Sequence, residues 1–285
     1  MLIDWSVPVG DANLKRLSKI CDQCKSLGFG AAALDLTIQK KPSARDVHSL
    51  LQAADSVRAE LKLSIPSSQA TSSLTINGFR VLTRVTYDCA SISDFHQFVA
   101  CLPMLKDVDV LAFRSVDEKA LLHVLTSSSD FQIISFDLSQ RMSSVLRFPI
   151  IKQALSRSLV FEIAYGVFVR EPSVRTPYLS NLSVLYRVTK GRGILFSSSA
   201  SFVTDLRQPQ ELCYLSTLFG QKSPSQCLAS WKRASCDVSS RALLRKFVKG
   251  SVEASIEDTV MSANRKRGIS ETSVEESSGK RKKTS

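Results

Sequence analysis

Four carboxylates stand where a strand-based enzyme would keep its chemistry: Asp4, Asp35 and Asp137 at the carboxyl ends of short apolar runs, and Glu162 inside another. Carboxylates gathered at strand ends of a β/α barrel would bind Mg²⁺, Mn²⁺ or Zn²⁺ and support hydrolysis of a phosphate ester. A two-metal centre of that kind needs many ligands, and histidine is the usual co-donor. The chain has 3 His, namely His48, His96 and His123, and each falls in a helical pattern, unpaired as H-x-H and away from any strand end. A metal-dependent phosphoesterase using Asp4, Asp35, Asp137 and Glu162 is therefore the second reading, behind a non-catalytic one with no metal or cofactor. A lone strand-end Asp more often holds a loop through hydrogen bonds. Cys21 and Cys24 form a single C-x-x-C within a helical pattern with no second pair, which points to core packing and not to zinc or a redox centre.

Groups that bind without reacting are better supplied. From Ser139 to Arg192 there are nine Lys or Arg against two Glu, whereas residues 1 to 138 carry 14 basic and 15 acidic side chains. The formal charge of +12 is thus concentrated in the later part of the chain. Basic residues on a folded scaffold imply a polyanion bound in a defined orientation, nucleic acid first among them. Arg170, Arg175, Arg187, Lys190 and Arg192 flank two adjacent predicted strands, with Gly191 and Gly193 allowing close approach of the backbone. Ser197, Ser198 and Ser199 end the last strand and Arg207 follows, so hydroxyls, amides and guanidinium groups are expected to form a phosphate-contact surface. Lys232, Arg233, Arg241, Arg245, Lys246 and Lys249 add a second basic patch, with Trp231 as a candidate stacking surface.

The elements that must position these groups are legible from periodicity. Strand-length apolar runs occur at Leu2–Trp5, Gly30–Leu36, Phe79–Thr86, Val108–Phe113, Phe131–Phe136, Leu159–Ala164 and Gly193–Ser197. Amphipathic helical patterns follow them, with caps expected at Asp11 and Ser43 and first-turn prolines at Pro149 and Pro209. Seven such units predict an α/β fold of the seven-stranded, TIM-like β/α barrel kind. A doubly wound open sheet is the main alternative, weakened by the lack of any G-x-G-x-x-G. Two further helical patterns, Ser225–Ser235 and Ser239–Lys249, complete a domain over residues 1–250.

Residues 251–285 are rich in Ser, Glu, Lys and Thr and predict a disordered tail. Within it 12 residues separate Arg265, Lys266 and Arg267 from Lys280, Arg281, Lys282 and Lys283, the spacing of a two-part nuclear import signal. Seven scattered Cys, an odd number, read as reduced intracellular thiols. No apolar run approaches the roughly 18 residues of a spanning helix, and the N-terminus lacks the form of a signal peptide, so the expectation is a soluble chain that is not secreted and has no membrane partner.

Phe161-Glu162-Ile163-Ala164-Tyr165, Ser180-Asn181-Leu182, Lys190-Gly191-Arg192-Gly193-Ile194-Leu195-Phe196-Ser197-Ser198-Ser199-Ala200 and Leu218-Phe219-Gly220 closely resemble the thirty-kilodalton protein subunit family of eukaryotic and archaeal ribonuclease P. The resemblance extends over most of residues 1 to 235. It implies a barrel of the polymerase-and-histidinol-phosphatase type without its metal ligands, and a non-catalytic role beside an RNA that removes the 5′ leader of precursor tRNA. It further implies sharing with ribonuclease MRP and a part in ribosomal RNA processing. The implied partners are the ribonuclease P and MRP RNAs, other protein subunits including one small direct partner, and, indirectly, precursor tRNA. The implied location is the nucleus and nucleolus. The chain departs from the family pattern at Gln208-Pro209-Gln210-Glu211-Leu212 and in the short basic loop from Gln39 to Ser43.

Overall fold

In a computed structural model of the chain, the described residues are 1–10, 13–63, 78–127, 130–140, 146–218 and 223–247. Seven strands alternate with helices: β1 (Ile3–Pro8), α1 (Leu14–Ser26), β2 (Ala31–Ile38), α2 (Ala44–Glu60), β3 (Arg80–Cys89), α3 (Ile92–Val99), β4 (Val110–Ser115) and α4 (Glu118–Thr126). The second half continues with β5 (Ile133–Ser135), α5 (Phe148–Ser156), β6 (Val160–Ala164), α6 (Gly166–Arg170), α7 (Arg175–Thr189), β7 (Ile194–Ser197), α8 (Pro209–Thr217) and α9 (Pro224–Phe247). All neighbouring strands pair in parallel in the order β1 to β7, so the sheet curls into a nearly closed barrel with the helices outside. Covering both faces explains why Ala31–Leu34 of β2 are buried without alternation.

Local chemistry accounts for most boundaries. Ser43 caps α2 in a reciprocal box with Asp46. The cap of α1 is Asn13, whose side chain accepts the Lys15 N–H at 3.1 Å; the expected cap, Asp11, lies outside the described residues. The helix expected over Ser93–Leu105 stops at Val99 and resumes as a 3₁₀ turn at Leu102–Leu105, where Pro103 has no N–H to give an α-helix. The two helical patterns expected near the end form one helix, α9. Ser239, taken as a second start, instead donates its hydroxyl to the Ser235 carbonyl at 2.9 Å and is accommodated mid-helix.

The seam between β7 and β1 is joined by few bonds. The Ser199 N–H donates to the Ser6 carbonyl at 2.8 Å, and the Ser198 N–H donates to Asp4 Oδ1 at 2.8 Å. β1 shifts register between Asp4 and Val7, a bulge that lets its side chains serve this seam. α9 packs across the amino end of the barrel. Trp231 meets Phe29, just ahead of β2, and Phe196 of β7 edge-on; Ser230 donates to the Gly191 carbonyl ahead of β7; and Arg241 donates to the carbonyls of Phe131 and Arg157, ahead of β5 and β6. The chain divides into two compact units, Met1–Leu243 and Leu244–Ser285. The first holds the barrel; of the second only the end of α9 is described, and both basic clusters of the tail lie outside the described residues.

Candidate nucleic-acid interface

The barrel interior is polar, and a cation occupies its centre. Arg84 of β3 grips both carboxylate oxygens of Glu162 on β6, one of them at 2.7 Å, although β4 and β5 stand between these strands. The bond therefore crosses the barrel. Arg84 Nε lies 3.4 Å from Asp35 and donates to Thr86 Oγ1 at 3.0 Å, and a further Arg84 N–H donates to the Trp5 carbonyl at 2.9 Å. Asp35 in turn accepts the Ser6 and Thr86 hydroxyls at 2.8 and 2.7 Å. Asp4 accepts the Ser198 and Ser6 N–H groups and the Cys24 thiol.

Glu162 and Asp35 share the Arg84 guanidinium with Asp4 buried beyond its contact, and the ionisation of the three carboxylates is divided accordingly. Burial would raise Glu162, but the Arg84 guanidinium against it holds its carboxyl below the ordinary value. Burial raises Asp35 despite Arg84 nearby, and pushes Asp4 up to about 6 against the hydrogen bonds from Ser198 and Ser6. These groups are engaged with one another and with the backbone, so their lone pairs are committed to holding the barrel. Asp137 is not among them. It is exposed, and its Oδ1 takes the Ser139 N–H and hydroxyl in a local turn. The histidines lie on α2, α3 and α4, away from this network, and among the described residues no three His, Cys, Asp or Glu are arranged to hold a metal. The four-carboxylate phosphoesterase centre does not assemble.

The basic residues separate to opposite ends of the barrel. At the carboxyl end, Arg170 pairs with Asp205 at 2.9 Å and donates to the Ser199 carbonyl at 3.1 Å. Arg175 lies over the Phe168 ring at 5.6 Å and donates to the Phe168 carbonyl, and Arg207 donates to the carbonyls of Thr204 and Leu206. Ser197 and Ser198 are 1% and 0% exposed, so they present no hydroxyl to a phosphate; Ser199 is held in a left-handed conformation at φ 45°. The phosphate-contact surface expected at Ser197–Ser199 and Arg207 is thus corrected: the Ser197 and Ser198 hydroxyls are buried and Arg207 is bonded to backbone. Helix α7 runs from one end of the barrel to the other, and β7 runs back, so residues adjacent in sequence face apart.

At the amino end Lys190, Arg192 and Arg233 come together, and Lys152 of α5, which sequence reasoning passed over, joins them. They line a groove of about 650 Å³ between the turn ahead of β6, the turn ahead of β7 and the side of α9. Lys190 caps α7 in the left-handed region, and its ammonium sits 4.8 Å from the centre of the Phe148 ring. Gly191 and Gly193 have φ of 69° and 62°, and a Cβ on Gly193 would lie 2.3 Å from Leu155 Cδ2. These glycines serve the turn and the packing of α5, in place of the expected approach of a partner. Arg187 and Lys232 are exposed outside the groove. Trp231 is 1% exposed and offers no stacking face, while Arg241 spends its guanidinium on backbone carbonyls.

Comparison of the sequence with known proteins points to one family. The family model for the RNase P subunit p30 matches residues 1–244. Ribonuclease P protein subunit p30 of Mus musculus is 24% identical over 209 residues, covering 73% of this chain and 74% of that protein. Protein GAMETOPHYTE DEFECTIVE 1 of Arabidopsis thaliana is 29% identical over 171 residues, covering 60% of this chain, which spans only 28% of the plant protein's length. A chain in a cryo-EM structure of archaeal ribonuclease P with mature tRNA superposes with a TM-score of 0.60 at 14% identity, covering 87% of this chain and 95% of that one, and establishes the barrel fold.

Proposed function

The chain belongs to the RNase P subunit p30 family, and from that premise we propose that it is a non-catalytic, RNA-binding protein subunit of ribonuclease P that supports removal of the 5′ leader from precursor tRNA. One observation carries the non-catalytic part. Arg84 fills the barrel centre and engages Glu162 and Asp35, two of the four carboxylates a metal would need, while Asp4 is tied to Ser198 and Asp137 lies in an exposed turn. A guanidinium in bidentate contact is a permanent counter-charge, and the centre so neutralised has no open ligand position. The phosphoesterase reading is not retained.

The RNA-binding part is supported by the exposed cations at the amino end of the barrel, Lys152, Lys190, Arg192 and Arg233, with Arg187 and Lys232 nearby in sequence. The carboxyl-end arginines are turned onto backbone and Asp205 and make a weaker case. The partners in this reading are the ribonuclease P RNA and other protein subunits of the particle, one of them a small direct partner. Sharing with ribonuclease MRP extends the role to ribosomal RNA maturation, and the paired basic clusters at Arg265 and Lys280 direct the chain to the nucleus and nucleolus.

Capture of the tagged chain from its own cells, followed by sequencing of bound RNA, tests this. Enrichment of ribonuclease P RNA, together with 5′ processing activity in the captured particle, is expected. Recovery of protein partners with no enriched RNA would overturn it.

A further inference from the structure

The amino-end groove presents four cations, Lys152, Lys190, Arg192 and Arg233, against a single carboxylate, Asp237. The ion pairs at Arg58, Arg84, Arg114 and Arg170 lie elsewhere; within the groove Arg233 has Asp237 as an electrostatic neighbour and Lys190 has the Phe148 ring. All four side chains are exposed. The groove's volume of about 650 Å³ is in the range of a small-ligand site and has room for one or two nucleotides.

Its lining determines what could be read there. No aromatic side chain contributes to the walls, and the exposed Phe148 ring beside them is taken up by the Lys190 ammonium at 4.8 Å, so the walls give an entering base no face to stack on. The apolar wall atoms come from Leu155, Leu159, Ala229 and Ala234, which offer no deep pocket for the bulky anchor that usually centres a protein contact. What remains is recognition of phosphate and sugar oxygens by fixed cations.

The groove is also held in shape. Ser230 on α9 donates to the Gly191 carbonyl at 2.9 Å, tying one wall to the other. Lys190 is pinned by its left-handed backbone and by the Phe148 ring. Cations on such a frame lose little freedom when an anion arrives, which favours binding.

We propose that this groove is a clamp for the sugar-phosphate backbone of RNA, in which Lys152, Lys190, Arg192 and Arg233 contact successive phosphates without reading bases. The proposal rests on the reading that the chain binds ribonuclease P RNA. It adds the place of contact, the chemical moiety recognised and the absence of base specificity.

Filter binding of the full chain to ribonuclease P RNA and to 12-nucleotide oligouridylate and oligoadenylate, over a range of KCl concentrations, tests the clamp. The Lys152→Glu/Arg233→Glu variant should lose about 100-fold in affinity for all three probes, and its log–log salt slope should be shallower by about 2. Ala229→Trp fills the groove from an exposed helical position without changing charge, and should lose about tenfold even if the double reversal does not fold. Lys119→Glu, an exposed position at the start of α4 outside the groove, should change affinity by less than about threefold. Wild-type affinity in the folded Ala229→Trp and double-reversal variants, with salt-sensitive binding by the parent, overturns the clamp and leaves RNA binding standing. A parent chain with no salt-sensitive affinity for any probe overturns both. Retained RNA binding with loss of an acidic protein subunit from the assembled particle would assign the groove to a protein and overturn the clamp.

Discussion

The Asp4 carboxylate accepts the Ser198 backbone N–H at 2.8 Å, and this bond joins the first strand of the barrel to the end of the last. The two residues are 194 positions apart, and the second belongs to the run Ser197-Ser198-Ser199 that reads from sequence as part of a phosphate-contact surface. Its serines close the barrel instead. Ser198 Oγ donates to the Ser6 carbonyl at 3.2 Å and accepts the Ala200 N–H at 3.1 Å, so both atoms of its hydroxyl are used inside the fold.

Asp4 makes stability depend on pH in a direction opposite to that of a salt-bridged carboxylate. Its carboxyl is pushed from 3.8 to about 6 in the folded chain, so between these values the folded state holds a proton that the unfolded state has released. Stability from this group is greatest below about pH 4 and falls as the pH rises to about 6, a loss of roughly 3 kcal/mol that persists above. Asp4→Asn has no such titration, so relative to the parent it should gain roughly 3 kcal/mol between pH 4 and pH 8. Urea unfolding at both pH values measures this, and a pH-independent difference would refute it.

Arg84 and Glu162 should behave as a coupled buried pair. Arg84→Met strips the counter-charge from Glu162 and Asp35 and should cost about 3–5 kcal/mol. Arg84→Met/Glu162→Met removes both charges and should recover a large part of that loss, giving a clear coupling energy in a double-mutant cycle. Additive losses from the two substitutions would show that the contact across the barrel contributes little.

The two ends of the barrel should separate stability from affinity. Arg170→Met leaves the buried Asp205 with only its N–H partners, Ser201 and Phe202, and should cost about 1–3 kcal/mol. Its affinity for ribonuclease P RNA should stay within about twofold of the parent, since removing a non-contacting charge leaves the phosphate contacts in place. A loss of affinity as large as that of an amino-end reversal would show that RNA reaches the carboxyl end.

Gly193→Ala should be destabilising by about 1–2 kcal/mol, because φ of 62° is unfavourable for a residue with a Cβ. The added methyl also meets Leu155 at 2.3 Å. Gly193→Ala/Leu155→Ala relieves that clash and leaves the backbone strain, so its cost should be less than the sum of the two single substitutions. Thermal melts of the three variants decide between this and a turn that rearranges freely.

Much of the fold was legible because its signals are local. The strand runs and helix faces recur with periods that neighbouring residues set, and Ser43 with Asp46 or Pro209 at a helix start carry their meaning within four positions. Where local rules were read too far, the reason is specific. Ser239 looked like a helix start because serine caps well, yet a serine can bond back to the carbonyl four residues before it and leave the helix unbroken. Arg84 was missed, although an Arg in the middle of one apolar strand and a lone Glu in another, at Glu162, is a pattern that asks for a buried pair.

The residue types and their order determined by themselves that the chain would form repeated strand-helix units, that its later part would be basic, and which family it resembles. Only the tertiary structure decided which charges share a face. In a parallel barrel every strand begins at one end and finishes at the other, so Arg192 and Arg207, close in sequence, are parted by β7, while Lys152 and Arg233 are brought to one groove. Closure also takes Arg84, Glu162, Asp35 and Asp4 out of water together, and desolvation turns four ordinary charges into one coupled network.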